Sequence, residues 1–198
     1  MRKNKLLKYF SLNVEDKYVI EYNSALGYKP LQMGTWTQEN VSSCFIEDGL
    51  LKVYTTRSVY RYFLPKSRDL SKNMLFDLYF RQINSGQCQI YKFIFLNDNE
   101  EEVCVFDQQV DAIYVYLKGE QVAKITYNYD SRLIYGRARI EKIGNTINFY
   151  SMNNSYGFVE PILRYSLNVT EEVSKLKLGV SLLAQGCFMI SKMEYTEW

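Results

Sequence analysis

The sequence predicts a single all-β domain built as a two-sheet antiparallel sandwich. Apolar and polar residues alternate over many short stretches, turn residues separate these stretches at short intervals, and helix signals are few. A length of 198 residues fits one such domain. We expect the sandwich to occupy residues 18–198, after a short basic N-terminal extension over residues 1–17.

The alternation has a period of two, which is typical of strands that pack on one face only. In residues 76–81, three apolar side chains share one face while Asp77, Tyr79 and Arg81 share the other. The same alternation runs through residues 113–117. These stretches therefore predict strands with an apolar inner face and a polar outer face.

Turn signals at short intervals divide the chain into short strands that are joined by links of hairpin length. The clearest is Gly144-Asn145, which lies between two alternating runs and predicts a tight hairpin, because its first residue must adopt a positive φ. We predict thirteen strands, over residues 18–22, 44–47, 50–56, 60–63, 74–83, 88–97, 102–107, 112–117, 121–127, 137–143, 146–151, 176–183 and 187–195.

The composition excludes several kinds of chemistry. The chain contains no histidine, so neither a Ser-His-Asp nor a Cys-His arrangement can form. Imidazole-ligated zinc is excluded for the same reason. The four cysteines show no C-x-x-C spacing, which favours buried free thiols over a metal or redox motif.

The charge is unevenly distributed along the chain. Residues 1–8 contain four basic side chains, whereas the whole chain carries a net charge of only +2. A short basic segment differs from the charged face that binds nucleic acid, so we expect no nucleic-acid partner. No apolar run of secretory or membrane-spanning length is present, and we expect a soluble, cytoplasmic protein.

One hairpin carries a resemblance to a known group of proteins. Residues 139–151 read R-I-E-K-I-G-N-T-I-N-F-Y-S, and they follow Trp36, an F-I-E-D-G-L-L-K-V segment over residues 45–53, and the long strand from Phe76. This order resembles the concanavalin A-like lectin/glucanase superfamily over about residues 35–195. The resemblance implies a jelly roll of two curved antiparallel sheets.

In that superfamily the outward face of the concave sheet often holds a ligand. The resemblance therefore implies a ligand face, and a solvated polar face is the alternative interpretation of the same residues. Tyrosine offers a rigid apolar plate with a polar tip, which suits sugar rings. The candidate ligand-binding residues on this face are Tyr79, Arg81, Tyr114, Tyr116, Arg139 and Glu141, with Trp36 and the loop residue Tyr156 as further candidates.

Three functions fit these patterns. The first is a non-catalytic module that binds carbohydrate. The second is a protein-interaction or assembly subunit, with a homodimer among its possible forms. The third is a histidine-free glycoside hydrolase, which we disfavour because no strand carries the E-x-D-x-x-E pattern of the superfamily's glucanases.

The acidic run at residues 98–102 offers oxygen atoms for calcium. It lacks the spaced ligands and the glycine of an EF-hand loop, so a solvated hairpin turn is the interpretation we favour. We expect no cofactor, with calcium as the one alternative left open.

Overall fold

The computed structural model describes residues 19–21, 36–39, 44–47, 50–55, 61–65, 70, 72–81, 89–126, 135–154, 156–182 and 186–197. The expected extension over residues 1–17, with its basic segment, lies outside them. The described residues form fifteen strands and no helix. The strands are β1 Val19–Glu21, β2 Trp36–Glu39, β3 Cys44–Glu47, β4 Leu50–Thr55, β5 Arg61–Pro65, β6 Met74–Arg81, β7 Gln89–Leu96, β8 Glu102–Gln108, β9 Ala112–Leu117, β10 Glu120–Thr126, β11 Tyr135–Ile143, β12 Thr146–Asn154, β13 Ile162–Asn168, β14 Lys175–Leu182 and β15 Gly186–Glu197.

The strands form two antiparallel sheets. The eight-stranded sheet has the order β13-β12-β11-β6-β15-β4-β3, and β1 also pairs with β15. The seven-stranded sheet has the order β10-β9-β8-β7-β14-β5-β2. The predicted all-β class and its two-sheet antiparallel architecture are confirmed. Within the described segments, no helix has the length and apolar composition needed to cross a bilayer.

Two strands were absent from the prediction, β2 and β13. β13 is hard to recognise because a bulge interrupts its pairing with β12: Tyr165 pairs with Phe149 and Leu163 pairs with Tyr150, so Arg164 is an extra residue. The extra residue breaks the alternation that identifies a strand. β2 is only four residues long and pairs with β5 at the end of the seven-stranded sheet.

The Gly144-Asn145 hairpin is confirmed. β11 and β12 pair in one continuous register that closes with Ile143 opposite Thr146. Gly144 has a φ of 56°, the positive value that the first turn residue requires. This turn fixes the register of β11 and therefore fixes which of its residues face outward.

The core lies between the sheets and is rich in aromatic rings. Phe76 of the eight-stranded sheet lies edge-on to Phe93 of the other sheet, with ring centroids 5.7 Å apart. Phe80 and Tyr91 approach to 5.2 Å, and all four side chains are at most 1% exposed. Burying each such side chain stabilises the fold by roughly 1.5–3 kcal/mol. The inward-facing residues of the strands form the core, so the outward-facing residues that alternate with them form the surface.

Candidate functional site

The outward surface of the eight-stranded sheet carries a dense group of charged and aromatic side chains. It arises because the apolar positions of β6 and β11 face the core and the positions between them face outward. Pairing of β6 with β11 and β15, and of β11 with β12, places these outward positions side by side. We call this surface the polar face; its members are Asp77, Tyr79, Arg81, Tyr135, Arg137, Arg139, Glu141, Tyr150, Lys192 and Glu194.

Four charged side chains form a ring at the centre of the polar face. Nε and Nη2 of Arg139 donate to the two carboxylate oxygens of Asp77 at 3.0 and 3.1 Å, which is a bidentate pair. Nε of Arg137 donates to Oδ1 of Asp77 at 3.0 Å. On the other side of the ring, Nη1 of each arginine donates to the carboxylate of Glu160. Two carboxylates thus hold two guanidinium groups.

The ring favours the charged forms of its two arginines and of Glu160. Burial alone would lower the pKa of Arg137 and Arg139, but their hydrogen bonds to Asp77 and the Asp77 charge outweigh it and raise the pKa of both. Burial likewise opposes ionisation of Glu160, yet the charges of the two arginines hold its pKa below the ordinary value. The ring is therefore a set of fixed charges rather than a proton donor.

Tyr79 links this ring to β15. Its hydroxyl donates to Oε2 of Glu194 at 2.7 Å, and Lys192 forms an ion pair with the same carboxylate. The Arg137 guanidinium carbon lies 4.8 Å from the centroid of the Tyr79 ring, within the range of a cation–π contact. Burial, the Asp77 charge and the bond to Glu194 raise the pKa of Tyr79. Tyr79 is therefore held rigidly as a neutral ring.

Residues 156–161 lie over part of the polar face, and we call this segment the strap. The Phe158 ring lies edge-on to Tyr79 and to Tyr135, at centroid distances of 5.2 and 5.1 Å. Glu160 contributes the second carboxylate of the charged ring. Tyr156, at the start of the strap, is 96% exposed. The strap thus contacts the polar face at one aromatic and one acidic side chain.

A second hydrogen-bonded group lies on β11 and β12. The Tyr150 hydroxyl donates to Oε2 of Glu141 at 2.8 Å, and Nδ2 of Asn148 donates to the same oxygen at 3.1 Å. Burial and the bond to Glu141 raise the pKa of Tyr150 to about 12. This group extends the polar face towards β13, where Ser166 donates to Oδ1 of Asn148.

The structure divides the six outward residues that were expected on one face. Tyr79, Arg81, Arg139 and Glu141 lie together on the polar face. Tyr114 and Tyr116 lie on β9, in the seven-stranded sheet, and so belong to the opposite side of the sandwich. Tyr116 packs there against the buried cluster of Ile94, Leu96 and Val105. The expectation of a single shared face was wrong because alternation within a strand does not reveal to which sheet the strand belongs.

The two remaining candidates lie elsewhere. Trp36 is the first residue of β2 in the seven-stranded sheet, and its side chain is not among those described. Tyr156 belongs to the strap, in the loop where the sequence placed it.

The prediction missed central members of the site. Asp77 was predicted to face outward but was not chosen as a candidate, and Arg137, which also alternates with apolar residues, could have been recognised from the same signal. Phe158 and Glu160 lie in an irregular segment with no periodic pattern, and their contacts arise only from the fold. Tyr135 lies at the start of β11, two residues before the predicted strand.

A cavity of about 240 Å³ lies at a different place, beside the Gly144-Asn145 turn. It shares no residue with the polar face, and its volume is below the roughly 300–1,000 Å³ of typical small-molecule pockets. Its lining residues are Leu70, Lys142, Gly144, Asn145, Ile147, Val169, Thr170, Glu171, Glu172 and Val173. The polar face is therefore the better candidate for a functional surface.

Comparisons with known proteins match the fold and not the sequence. No protein-family model matches the chain, and no curated protein matches it. The carbohydrate recognition domain of Emp46p, in a metal-free form, superposes with a TM-score of 0.61 at 11% identity, covering 89% of this chain and 95% of that one. The VIP36 exoplasmic/lumenal domain in a Ca²⁺/Man-bound form gives 0.64 at 8% identity, covering 90% and 88%.

Bacillus licheniformis beta-glucanase gives a TM-score of 0.59 at 10% identity, over 91% of this chain and 98% of that one. The likeness to these three structures, together with the two antiparallel sheets, decides the fold. The chain has the concanavalin A-like jelly-roll fold. The implied superfamily architecture is thereby confirmed at the level of fold, and the polar face is the outward surface of the jelly roll's eight-stranded sheet.

Residues 98–101 of the acidic run lie in the turn between β7 and β8. Oδ1 of Asn97 accepts hydrogen bonds from the backbone nitrogens of Asn99 and Glu101, both at 3.0 Å, and the Glu100 carboxylate pairs with Lys175 at 2.7 Å. The Asn97 side chain, which directly precedes the run, thus closes an exposed turn. In the part of the chain that the structure describes, no group of three or more acidic or cysteine side chains is placed to hold a metal ion.

Proposed function

We propose that the chain is a non-catalytic carbohydrate-binding module that holds a glycan on the polar face. The observation that carries this proposal is the arrangement of rigid aromatic rings beside fixed charged groups. Tyr79 and Tyr135 are each held by neighbouring cations and by Phe158. Sugar rings stack on such aromatic plates, while charged groups accept and donate hydrogen bonds to sugar hydroxyls.

The structural neighbours support a glycan as the ligand. One is named as a carbohydrate recognition domain and another in a mannose-bound form. The likeness extends to the fold only, so the chemistry of this chain's own polar face must account for recognition. That face combines tyrosine, arginine and carboxylate side chains, which is the set that sugar hydroxyls bind.

The state of the carboxylates favours binding over hydrolysis. A retaining glycosidase needs two carboxyl groups about 5–5.5 Å apart, one of which donates a proton. The oxygens of Asp77 are occupied by two guanidinium groups, and the pKa of Glu160 is lowered. Neither is arranged to donate a proton to a leaving group.

A glycan array probed with the full chain tests the proposal, followed by isothermal titration with the best-bound sugar. Tyr135→Ala should weaken binding about tenfold, because a stacking surface worth roughly 1.4 kcal/mol is lost. Tyr114→Ala is the matched control, since Tyr114 is a half-buried, outward strand tyrosine on the opposite sheet. Binding to no sugar class would refute the proposal, and a larger loss in Tyr114→Ala would move the site to the other sheet.

A protein-interaction role is the second candidate, favoured by one feature of β13. Ile162 and Leu163 are consecutive, each 52% exposed, and lie on the strand at the end of the eight-stranded sheet. An edge strand with exposed apolar residues is suited to pairing with another chain, here a second copy. Light scattering after size exclusion tests this role. A dimer that Leu163→Lys converts to a monomer would support it, and a monomer at all concentrations would exclude self-association.

A further inference from the structure

The strap places two different chemical groups on the polar face, side by side. The Phe158 ring contacts both the Tyr79 and the Tyr135 rings, and the Glu160 carboxylate binds Arg137 and Arg139. A uronic acid is a sugar ring that carries one carboxylate, so it also combines a ring with a carboxylate. The strap therefore presents to the sheet the two groups that an acidic sugar would present.

The two carboxylates of the charged ring differ in accessibility. The Asp77 side chain is 1% exposed and belongs to a central strand, whereas the Glu160 side chain is 66% exposed and belongs to a segment without strand pairing. The arginine side chains between them are 12% and 18% exposed. Asp77 is thus a permanent part of the site, and Glu160 is the member that a carboxylate arriving from solvent can replace.

The charge of the polar face changes when Glu160 leaves it. Without Glu160, the ten residues named as members of the polar face include four cations, Arg81, Arg137, Arg139 and Lys192. They face three carboxylates, those of Asp77, Glu141 and Glu194. The surplus is one positive charge, in a place where two guanidinium groups already bind a carboxylate. Guanidinium pairs bind carboxylates with well-defined geometry and charge-assisted hydrogen bonds.

We propose that the polar face contains a subsite for a carboxylate-bearing sugar, and that the strap occupies this subsite until such a sugar displaces it. Phe158 lies where the sugar ring binds and Glu160 lies where its carboxylate binds. The inference rests on the proposed glycan-binding function and adds the class of ligand and a competing segment of the chain itself. When a segment competes in this way, the apparent association constant of the ligand is the intrinsic one multiplied by the fraction of time that the segment is open.

Titration of the full chain with tri-galacturonate and with its fully methyl-esterified form tests the subsite. The two probes share their rings and differ in charge. Glu160→Gln should bind tri-galacturonate about threefold to fivefold more tightly than the unmodified chain, and a fivefold gain corresponds to a strap that is closed about four-fifths of the time. The ester should bind more weakly than tri-galacturonate to both chains, because it has no carboxylate for the arginines. Glu171→Gln is the matched control, since Glu171 is an exposed carboxylate that pairs with Lys118 away from the polar face.

Two further variants keep the test decisive. Phe158→Ala should also raise the affinity for tri-galacturonate, because it removes the ring that covers the two tyrosines. Adding Arg139→Gln to Glu160→Gln should abolish the gain. Equal affinities of Glu160→Gln and Glu171→Gln for tri-galacturonate, or equal affinities of Glu160→Gln for tri-galacturonate and for the ester, would overturn the subsite while leaving the proposed function intact if neutral sugars bind on the array. The absence of binding to every sugar, acidic or neutral, would overturn both.

Discussion

Asp77 and Arg139 lie 62 residues apart in the sequence and directly opposite each other in the pairing of β6 with β11. The Asp77 carboxylate is almost completely buried although it occupies an outward position of its strand. Its burial is tolerated because both oxygens accept hydrogen bonds from Arg139, and Oδ1 also accepts one from Arg137. A cross-strand ion pair thus organises the polar face in the way that apolar pairs organise the core.

Replacing Asp77 should therefore destabilise the fold strongly. Asp77→Asn leaves two largely buried guanidinium groups facing an amide, and breaking a buried pair from one side costs about 3–5 kcal/mol. Urea unfolding gives the change in the free energy of unfolding. Asp111→Asn is the control: Asp111 is an exposed carboxylate 3.7 Å from Lys124, so its loss should change stability by less than about 0.5 kcal/mol. Similar values for the two variants would show that the buried pair contributes little.

A second prediction concerns Gly136, which lies opposite Phe80 in the pairing of β11 with β6. A Cβ atom at Gly136 would lie 2.2 Å from two carbons of the Phe80 ring, so the ring must move. Phe80 is 1% exposed and packs on Tyr91 and Phe188, which leaves little room for that movement. We expect Gly136→Ala to lower the free energy of unfolding by about 1–3 kcal/mol.

A double-mutant cycle with Phe80→Leu separates this clash from other effects of the alanine. In the Phe80→Leu background, where the side chain at this position is smaller, the cost of Gly136→Ala should fall by about 1 kcal/mol or more, because neighbouring residues couple when they share space. Strict additivity of the two changes would contradict the clash. The measurement is again urea unfolding of the single and double variants.

The sequence predicts the features of this structure that depend on neighbouring residues, and it does not predict those that depend on contacts between distant residues. Alternation is a local property, and it predicts that Asp77, Tyr79 and Arg139 face outward. Which strands become neighbours is decided by pairings between distant parts of the chain, and no local pattern reports them. This is why Tyr114 and Tyr116 were grouped with residues of the other sheet.

The strap illustrates the same limit, because no local pattern in its sequence predicts its contacts. Glu160 has no periodic neighbours, and only its position over β11 gives it a role in the charged ring. The hairpin at Gly144 is the opposite case, because a turn that requires positive φ selects its own residues locally. Local chemistry is therefore predictable from the sequence, whereas the composition of the site depends on the fold.

The thiol of Cys104 provides a test of the core. Cys104 lies on β8, is 1% exposed, and burial raises its pKa to about 12. Because the thiolate is the reactive form, we expect Cys104 to resist iodoacetamide at about pH 8 in the folded chain. Peptide mass mapping after timed labelling measures this for each cysteine. Labelling of Cys104 should accelerate in parallel with unfolding as urea is added; labelling without urea at the rate of the unfolded chain would place Cys104 outside the core.

The last prediction concerns the pH at which the strap loses its electrostatic attachment. The charges of Arg137 and Arg139 hold the pKa of Glu160 below its ordinary value of 4.5. The charged form therefore stabilises the folded state above about pH 4.5, and this contribution is lost as the pH falls through the lower, folded-state pKa. Because Glu160 is two-thirds exposed, screening limits the contribution to about 1 kcal/mol or less.

Comparison of the unmodified chain with Glu160→Gln isolates this effect, since the two chains differ in this one carboxylate. The unmodified chain should be the more stable at about pH 7, and the difference in unfolding free energy should shrink and vanish over the acidic range below about pH 4.5. A difference that persists unchanged at the acidic end of that range would mean that Glu160 acts through packing rather than charge. A difference that disappears as predicted, together with tighter tri-galacturonate binding by the same variant at neutral pH, would identify one carboxylate as both the attachment of the strap and the competitor of an acidic ligand.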